Sequence, residues 1–357
     1  MRSVLIAGGG TGGHLYPGVA VAREIRRRAS DVAVSFVGTA QGIEARVIPR
    51  EGFELDTIRS AGLKGKSLTS LVRGVLLLPA SALDAWRVLS RRRPSVVIGV
   101  GGYSSGPVVG LAALRGIPTL LMEQNAAPGL TNRLLSRVVR AAAVTYSESL
   151  AYFGDRGFVS GNPVRPEFLE AGRESDASRA GATRVLVFGG SQGAHAINVA
   201  MAEAAPLLAG GGVVVTHQTG ERDLEMVRAA YRQAGIEARV EPFLYQMDRE
   251  MREADVVICR AGATTLAELQ AAGRASILIP LPTATDDHQR KNARALVEAG
   301  AAQMIDQTSL TGEGLARGIL ALAGDAGERS RLAEAARRMA RPDAAAVIAE
   351  RVWQLAR

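Results

Sequence analysis

Short apolar runs alternate with amphipathic stretches along nearly the whole chain. In the first half, runs at 4–7, 32–37, 96–100, 118–122, 141–144 and 157–160 predict strands, and helical periodicity fills the intervals. That alternation predicts an α/β fold with parallel sheets. Gly161-Asn162-Pro163-Val164-Arg165-Pro166 then interrupts regular structure, and a domain boundary is placed there. A second series follows, with strands at 185–188, 213–216, 237–240, 256–259 and 276–279. The expected domains are residues 1–162 and 163–340. Residues 326–357 are Ala- and Arg-rich with helical spacing, interrupted at Arg341-Pro342-Asp343. The terminal helix, 341–357, is expected to pack back on the first domain.

The two series begin alike. Val4-Leu5-Ile6-Ala7 runs into Gly8-Gly9-Gly10-Thr11-Gly12-Gly13-His14, and Val185-Leu186-Val187-Phe188 runs into Gly189-Gly190-Ser191-Gln192-Gly193-Ala194-His195. At an offset of 181, Gly8, Gly9, Gly12 and His14 fall on Gly189, Gly190, Gly193 and His195. This is a duplicated nucleotide-fold start rather than a short-period repeat. Two Rossmann-like domains would place two phosphate-binding edges across a cleft.

Strand, glycine loop and helix in that order make a phosphate cradle, because glycine lets the backbone approach an anion and helix-start N–H groups point at it. Pro17 is expected near the first turn of the helix. The spacing Gly8-x-Gly10-x-x-Gly13 also fits the dinucleotide fingerprint. A dinucleotide enzyme carries an acid near the end of the second strand to hold the ribose diol. Here that strand ends in Gly38-Thr39-Ala40-Gln41, so a diphosphate without that contact is expected.

Composition and charge narrow the class. At 47% apolar and 22% charged residues the chain is an ordinary globular protein, not a disordered one. The single cysteine, Cys259, allows no intrachain disulfide and predicts a reducing compartment. No run of 18 apolar residues predicts a membrane span, and the opening directly into a strand predicts no signal peptide. Residues 1–160 hold 20 Lys and Arg against 10 Asp and Glu; the remainder hold 23 against 25. A basic first half implies an anionic partner. With 4% aromatic residues and no nucleic-acid module, that partner is not expected to be nucleic acid. Residues 60–93 join Leu68, Leu71, Val75 and Leu78 to Trp86, Arg87 and Arg91-Arg92-Arg93. They fit either an anionic bilayer surface or a buried crossover helix with a solvated basic end.

The densest chemistry lies at Cys259-Arg260-Ala261-Gly262-Ala263-Thr264-Thr265-Leu266-Ala267-Glu268. A strand feeds a small-residue turn and a helix, with Thr264 and Thr265 as caps and the helix start suited to a second diphosphate. Glu268, about a turn in, can accept from both hydroxyls of a ribose; the alternative is a capping-box glutamate. Farther on, Asp286-Asp287 is expected to be a solvated cap, and His288, Gln289 and Asn292 share a helical face that can meet sugar hydroxyls. The four histidines are scattered, so no metal site is expected. In the first half, Gly99-Val100-Gly101-Gly102-Tyr103-Ser104-Ser105-Gly106-Pro107 and Met122-Glu123-Gln124-Asn125 occupy further strand ends, where α/β sheets bind ligands.

In order and over nearly the whole chain, Gly8–His14, Gly101–Pro107, Glu123-Gln124-Asn125, Gly161–Arg165, Gly189–Ala194, Arg260–Thr265 with Glu268, and Asp287-His288-Gln289 with Asn292 resemble the MurG family. These are bacterial glycosyltransferases that convert lipid I to lipid II in peptidoglycan synthesis. The resemblance implies a GT-B fold and inverting transfer of N-acetylglucosamine from UDP-GlcNAc, without a cofactor or metal. The acceptor is the muramyl pentapeptide on undecaprenyl diphosphate, and a β-1,4 bond forms. The resemblance also implies a peripheral place on the cytoplasmic face of the inner membrane, against an anionic surface. Carried over residue by residue, the donor contacts are Thr11, Gly12, Gly13, Asn125, Arg165, Ser191, Leu244, Ala263, Thr264, Thr265, Leu266, Ala267, Glu268 and Gln289. The acceptor contacts are Gly9, Gly10, Gly101, Gly102, Tyr103 and Glu123. The family usually has Ile in place of Leu244, whose backbone would hold uracil. Many members have His in place of Met122, which leaves His14 as the candidate base, since inversion needs a group to take the acceptor's proton. Arg165 or Arg260 would stabilise the departing diphosphate. His195, the counterpart of His14 in the repeat, would face the donor phosphates. Another two-domain UDP-GlcNAc enzyme, such as a 2-epimerase, is the alternative.

Overall fold

A computed structural model describes residues 3–60, 77–171, 181–190 and 193–356. The chain divides into two compact units, residues 1–165 with 341–357, and residues 166–340.

In order, the first unit holds β1 (Ser3–Gly8), α1 (Gly12–Arg28), β2 (Ala33–Gly38), α2 (Glu44–Arg50), β3 (Glu54–Thr57), α3 (Leu78–Arg92), β4 (Val96–Gly101), α4 (Ser105–Leu114), β5 (Thr119–Glu123), α5 (Leu130–Leu135), β6 (Ala141–Val144) and β7 (Gly157–Val159). The second holds α6 (Pro166–Ala171), β8 (Thr183–Phe188), α7 (His195–Leu208), β9 (Val213–Gln218), α8 (Leu224–Ala234), β10 (Ala238–Glu241), α9 (Met247–Glu253), β11 (Val256–Cys259), α10 (Ala263–Ala272), β12 (Ala275–Leu278), α11 (His288–Glu298), β13 (Gln303–Met304), α12 (Gly312–Gly324) and α13 (Ala326–Met339). The final helix, α14 (Ala344–Leu355), returns to the first unit.

The sheets run β3-β2-β1-β4-β5-β6-β7 and β10-β9-β8-β11-β12-β13. Every pairing is parallel, with Ile6 beside Phe36 and Ile98 in one unit and Val187 beside His217 and Ile258 in the other. Each is a doubly wound α/β sheet whose strand order reverses beside its first strand, between β1 and β4 and between β8 and β11. Such reversals open a crevice at the carboxyl ends of the strands. The central strands are apolar on both faces because helices cover both: every residue of β4 and β5 is buried. Ile348, Ala349 and Val352 of α14 enter the same core as Val4, Ile6, Leu15 and Phe36.

Two strands escape the sequence pattern. β3 is Glu-Leu-Asp-Thr, and β13 is only Gln303-Met304. Both are sheet edges, where one neighbour and partial solvation remove the need for an apolar run.

Candidate functional site

In the first unit the loops after β1 and β4 flank the crevice and touch backbone to backbone. Gly9 N donates to Gly101 O at 3.3 Å. A Cβ on Gly8 would lie 2.2 Å from Gly101 O, and one on Gly102 would lie 2.3 Å from Gly9 O. Both glycines also hold positive φ, +140° and +80°. Two loops can approach this closely only without side chains. Gly9, Gly10, Gly101 and Gly102 are thus brought together, with Gly10 exposed and Tyr103 half-exposed beside them.

α1 begins at Gly12 with Thr11 as N-cap, and no side chain caps it. Pro17 is therefore the sixth helical residue, not a first-turn proline; the glycines themselves form the first turn. Arg165 lies over this turn, its Cζ 5.0 Å from the centroid of the Tyr16 ring, a cation–π arrangement. It joins Thr11, Gly12 and Gly13 at one helix start. His14, the third helical residue, is partly buried. Its Nδ1 lies 3.2 Å from Gln124 Oε1, and Gln124 Nε2 donates to Val100 O at 3.0 Å.

Glu123 departs from its expected role. It is 3% exposed. Its oxygens accept from Asn125 N at 3.0 Å, Asn125 Nδ2 at 3.2 Å, Gly129 N at 3.2 Å and Asn132 Nδ2 at 2.8 Å. Burial pushes its carboxyl up, and those donors and the nearby His14 imidazole act the other way. Glu123 supports the loop that presents Asn125 rather than meeting a ligand directly.

Glu44 is the residue that sequence reasoning missed. It lies six residues beyond β2, is 1% exposed, and accepts from Gly10 N at 2.8 Å, Thr39 N at 2.8 Å and Thr39 Oγ1 at 2.9 Å. Although burial opposes ionisation, these donors hold its carboxyl below the usual range.

In the second unit, Ser191 lies outside the described residues. Its neighbour Gly190 is tied by its carbonyl to Gln218 Nε2 at 2.8 Å, and Gln218 Oε1 accepts from Leu244 N at 2.9 Å. One buried amide thus sets both the glycine loop and the Leu244 backbone. His195 is the first residue of α7, two places earlier in its helix than His14 in α1. Its Nδ1 lies 3.0 Å from both oxygens of Asp223, past β9, whereas His14 turns toward β5. The two histidines are equivalent in sequence but lean to opposite sides of their sheets.

At α10 the N-cap is Gly262, so Thr264 and Thr265 are first-turn residues and not caps. Leu266 is fully buried and its N–H donates to Gly262 O at 2.9 Å, while Ala267 is 8% exposed. These two pack the helix and offer a ligand no side chain. Glu268 is the sixth helical residue, 7% exposed. A capping-box glutamate stands third, so that reading is excluded. Arg260 braces the end of β12, its Nη1 donating to Ile279 O at 3.0 Å. Gln289 Oε1 accepts from Ala261 N at 3.2 Å and Leu281 N at 3.0 Å, so its NH₂ end is the one able to reach a sugar. Asn292 is fully buried, donating to Ala261 O at 3.4 Å; it supports the turn and is inaccessible to a sugar. Asp287 is the N-cap of α11, but its side chain makes no capping bond. Asp286 and Asp287 both hold positive φ, +54° and +56°, so this turn stores backbone strain.

Residues 61–76 of the apolar-basic stretch lie outside the described residues. Of its arginines, Arg91 and Arg92 turn back onto Asp56 at 2.5 and 2.7 Å, so part of that basic end is paired. Exposed apolar side chains do appear nearby on the first unit: Trp86, Leu114 at 84% exposure, Leu134 at 70% and Val138. Among the described residues no group of three or more His, Cys, Asp or Glu is placed to hold a metal, and no helix is long and apolar enough to cross a membrane.

Family models match both units: the glycosyltransferase family 28 N-terminal domain over residues 4–144 and the C-terminal domain over residues 184–348. The UDP-N-acetylglucosamine–N-acetylmuramyl-(pentapeptide) pyrophosphoryl-undecaprenol N-acetylglucosamine transferase of Anaeromyxobacter dehalogenans is 49% identical over 99% of this chain and 93% of its own. The protein of the same name from Geobacter sulfurreducens is 46% identical over 97% of both. The crystal structure of Acinetobacter baumannii MurG superposes with a TM-score of 0.82 at 30% identity, covering 99% of this chain and 100% of that one. A UDP-GlcNAc 2-epimerase from Neisseria meningitidis shares the fold at a TM-score of 0.70 and 12% identity, covering 99% and 100%.

Proposed function

The chain belongs to the MurG family within glycosyltransferase family 28, and from that premise we propose that it transfers N-acetylglucosamine from UDP-GlcNAc to the muramyl sugar of undecaprenyl-diphospho-muramyl pentapeptide, making lipid II. The observation that carries the assignment of parts is the imidazole of His14 on the first turn of α1, beside two glycine loops in backbone contact.

His14 takes the proton of the acceptor's 4-hydroxyl. The oxygen attacks the anomeric carbon from the face opposite UDP, and the bond to the diphosphate oxygen breaks, leaving its electron pair on UDP. Gly9, Gly10, Gly101, Gly102 and Tyr103 line the place for the acceptor diphosphate, with Glu123 and Glu44 holding those loops. On the donor, Leu244 offers its carbonyl to uracil, Glu268 accepts from the ribose, the start of α10 at Ala263, Thr264 and Thr265 meets the diphosphate with Ser191, and Gln289 donates to the sugar. Thr11, Gly12, Gly13, Asn125 and Arg165 are further donor contacts. Fixed donors and a cation stabilise developing charge without reorganising, so no metal is required.

The enzyme works peripherally at the cytoplasmic face of the inner membrane. The support is the exposed Leu114, Leu134 and Val138 with Arg133, Arg137 and Arg140, in a stretch with no acid between Glu123 and Glu148. Apolar residues interspersed with cations suit an anionic bilayer.

The test is incubation with UDP-GlcNAc with and without a lipid I analogue. Disaccharide product and UDP only in the presence of the analogue are expected. Free UDP and N-acetylmannosamine from donor alone would transfer the chain to the epimerase reading.

A further inference from the structure

Gln124 stands between Glu123 and Asn125, yet its side chain turns away from both. It is 2% exposed, donates from Nε2 to Val100 O at 3.0 Å, and places Oε1 3.2 Å from His14 Nδ1. The direction of each bond follows from chemistry. A carbonyl oxygen only accepts, so the amide atom facing Val100 must be nitrogen. The atom facing His14 is then the amide oxygen, which also only accepts. The ring nitrogen opposite it must carry a hydrogen. In the neutral ring that leaves the lone pair on Nε2. Turning the amide over would set oxygen against the Val100 carbonyl in a site without access to water, the arrangement that buried polar groups avoid.

The ring is also held by shape. A Cβ on Gly101 would lie 2.9 Å from His14 Nδ1 and 3.1 Å from Cε1. The imidazole therefore packs on bare backbone, and Gly101 at φ +94° is the gap it fills. Three strand ends fix one ring: β1 through α1, β4 through Val100 and Gly101, and β5 through Gln124.

We propose that Gln124 is a positioning residue for the transfer, holding His14 with its proton on Nδ1 so that Nε2 is the atom that receives the acceptor's proton. This rests on the reading of His14 as base. In the step, the hydroxyl proton moves to Nε2, the oxygen bonds to the anomeric carbon, and the UDP oxygen leaves with its electron pair. The imidazolium so formed keeps its Nδ1–H on Gln124. Without this contact the neutral ring is free to carry its proton on Nε2, and that tautomer has no lone pair at the reacting atom. Among the described residues, Glu123 on β5 is the charged group that acts on the ring, and it remains in the variants below.

The experiment is nitrogen NMR on full-length protein labelled at histidine, at a pH where the rings are neutral, with the His14 signals assigned by their loss in His14→Gln. The expected result is protonated Nδ1 and unprotonated Nε2 at His14. In Gln124→Met, which keeps length but removes both bonds, the proton is expected to return in large part to Nε2. The same variant should lose kcat roughly 10- to 100-fold, within the about 10²–10⁴ of removing a base altogether, with the KM for UDP-GlcNAc unchanged. Gln124→Glu loses the donor to Val100 O but keeps an acceptor at Nδ1, and should keep the tautomer. Its added carboxylate favours the imidazolium, so the acid limb of the kcat/KM profile moves to higher pH. An unprotonated Nδ1 in the wild type overturns the proposal without any variant. So does a Gln124→Met protein with normal kcat and pH profile beside an impaired His14→Gln. Full activity in His14→Gln removes the base reading and this catalytic consequence with it, and the wild-type spectrum still decides separately whether Gln124 orients the ring.

Discussion

The Glu44 carboxylate lies 2.8 Å from the backbone nitrogen of Gly10, and a Cβ on Gly9 would fall 2.6 Å from that same carboxyl. The first acid after β2, six residues beyond the strand, faces inward and holds the first glycine loop. Gly10 takes φ +84°, and the bond from its N–H keeps it there.

Glu44→Gln is therefore expected to weaken the loop. An amide presents N–H to at least one of the donors that the carboxylate now accepts from, and a buried unpaired donor costs about 1–3 kcal/mol. Chemical denaturation should show a loss of that order. In kinetics the KM for the lipid acceptor should rise while the affinity for UDP, bound through the second unit, holds. Equal effects on both substrates would place Glu44 in general packing.

Much of this was legible in the sequence, and the exceptions have physical causes. The doubly wound sheets follow from apolar runs at β1, β4, β5, β8 and β11, each buried on two faces. The edges β3 and β13 were invisible because they need not be apolar. The chemistry-bearing loops were found through glycine, yet their supports were not. Glu44 and Gln218 lie outside every motif, and Gln124 lies within Glu123-Gln124-Asn125 without a role the motif assigns; only the fold brings them under a loop. Leu266 and Asn292 show the reverse: they lie within a motif, but helical geometry turns them into the core. His14 and His195 matched at an offset of 181, but α7 starts two residues later than α1 in that register, which turned the second imidazole to Asp223.

That second histidine ends a chain of hydrogen bonds with a pH consequence. Asn198 Nδ2 donates to Asp223 Oδ2 and Thr219 O, both at 2.8 Å. Asn198 Oδ1 can only accept, so His217 donates to it from Nε2 at 3.0 Å and accepts at Nδ1 from the Tyr231 hydroxyl at 2.8 Å. Burial pulls His217 down to about 3. Between there and about 6.5, the ordinary value, the unfolded chain holds the extra proton. The stability from neutral His217 is full above pH ~6.5 and is lost as pH falls toward 3, by at most ~1.4 kcal/mol per pH unit. Asp223 and Glu44, both held below the usual carboxylate range, add their losses only below about pH 4. The Tm should fall from pH 6.5 to 4.5 in the wild type and less steeply in His217→Gln. Tyr231→Phe should lower Tm at every pH and keep the slope. An unchanged slope in His217→Gln would rule out this histidine as the source.

The membrane face makes a separate prediction. Arg137 and Arg140 flank the exposed Val138, and a cation near an anionic surface is worth about 1 kcal/mol. Replacing both by Gln should weaken binding to phosphatidylglycerol vesicles roughly thirtyfold, with turnover of a soluble acceptor unchanged. Leu134→Ser should weaken binding to the same vesicles even at high salt, where charge is screened. Co-sedimentation measures both. Unaltered binding in the two variants would move the bilayer contact elsewhere on the chain.

Glu268 carries the sharpest prediction for the donor. It is the sixth residue of α10 and 7% exposed, too far along the helix to cap it. Its charge is felt by Cys259, whose thiol is pushed up mainly by burial and further by this carboxylate. A carboxylate suits two vicinal hydroxyl donors, such as those of a ribose. Hydrogen bonds to a charged group are each worth about 1.5–3 kcal/mol, so Glu268→Ala should weaken UDP binding by about ten- to a hundredfold or more. Calorimetry with UDP and 2′,3′-dideoxy-UDP separates recognition from packing. Wild type should prefer UDP by the same margin, and Glu268→Ala should bind the two alike. Equal affinity of the wild type for both nucleotides would show that Glu268 does not read the diol, whatever the variant's stability.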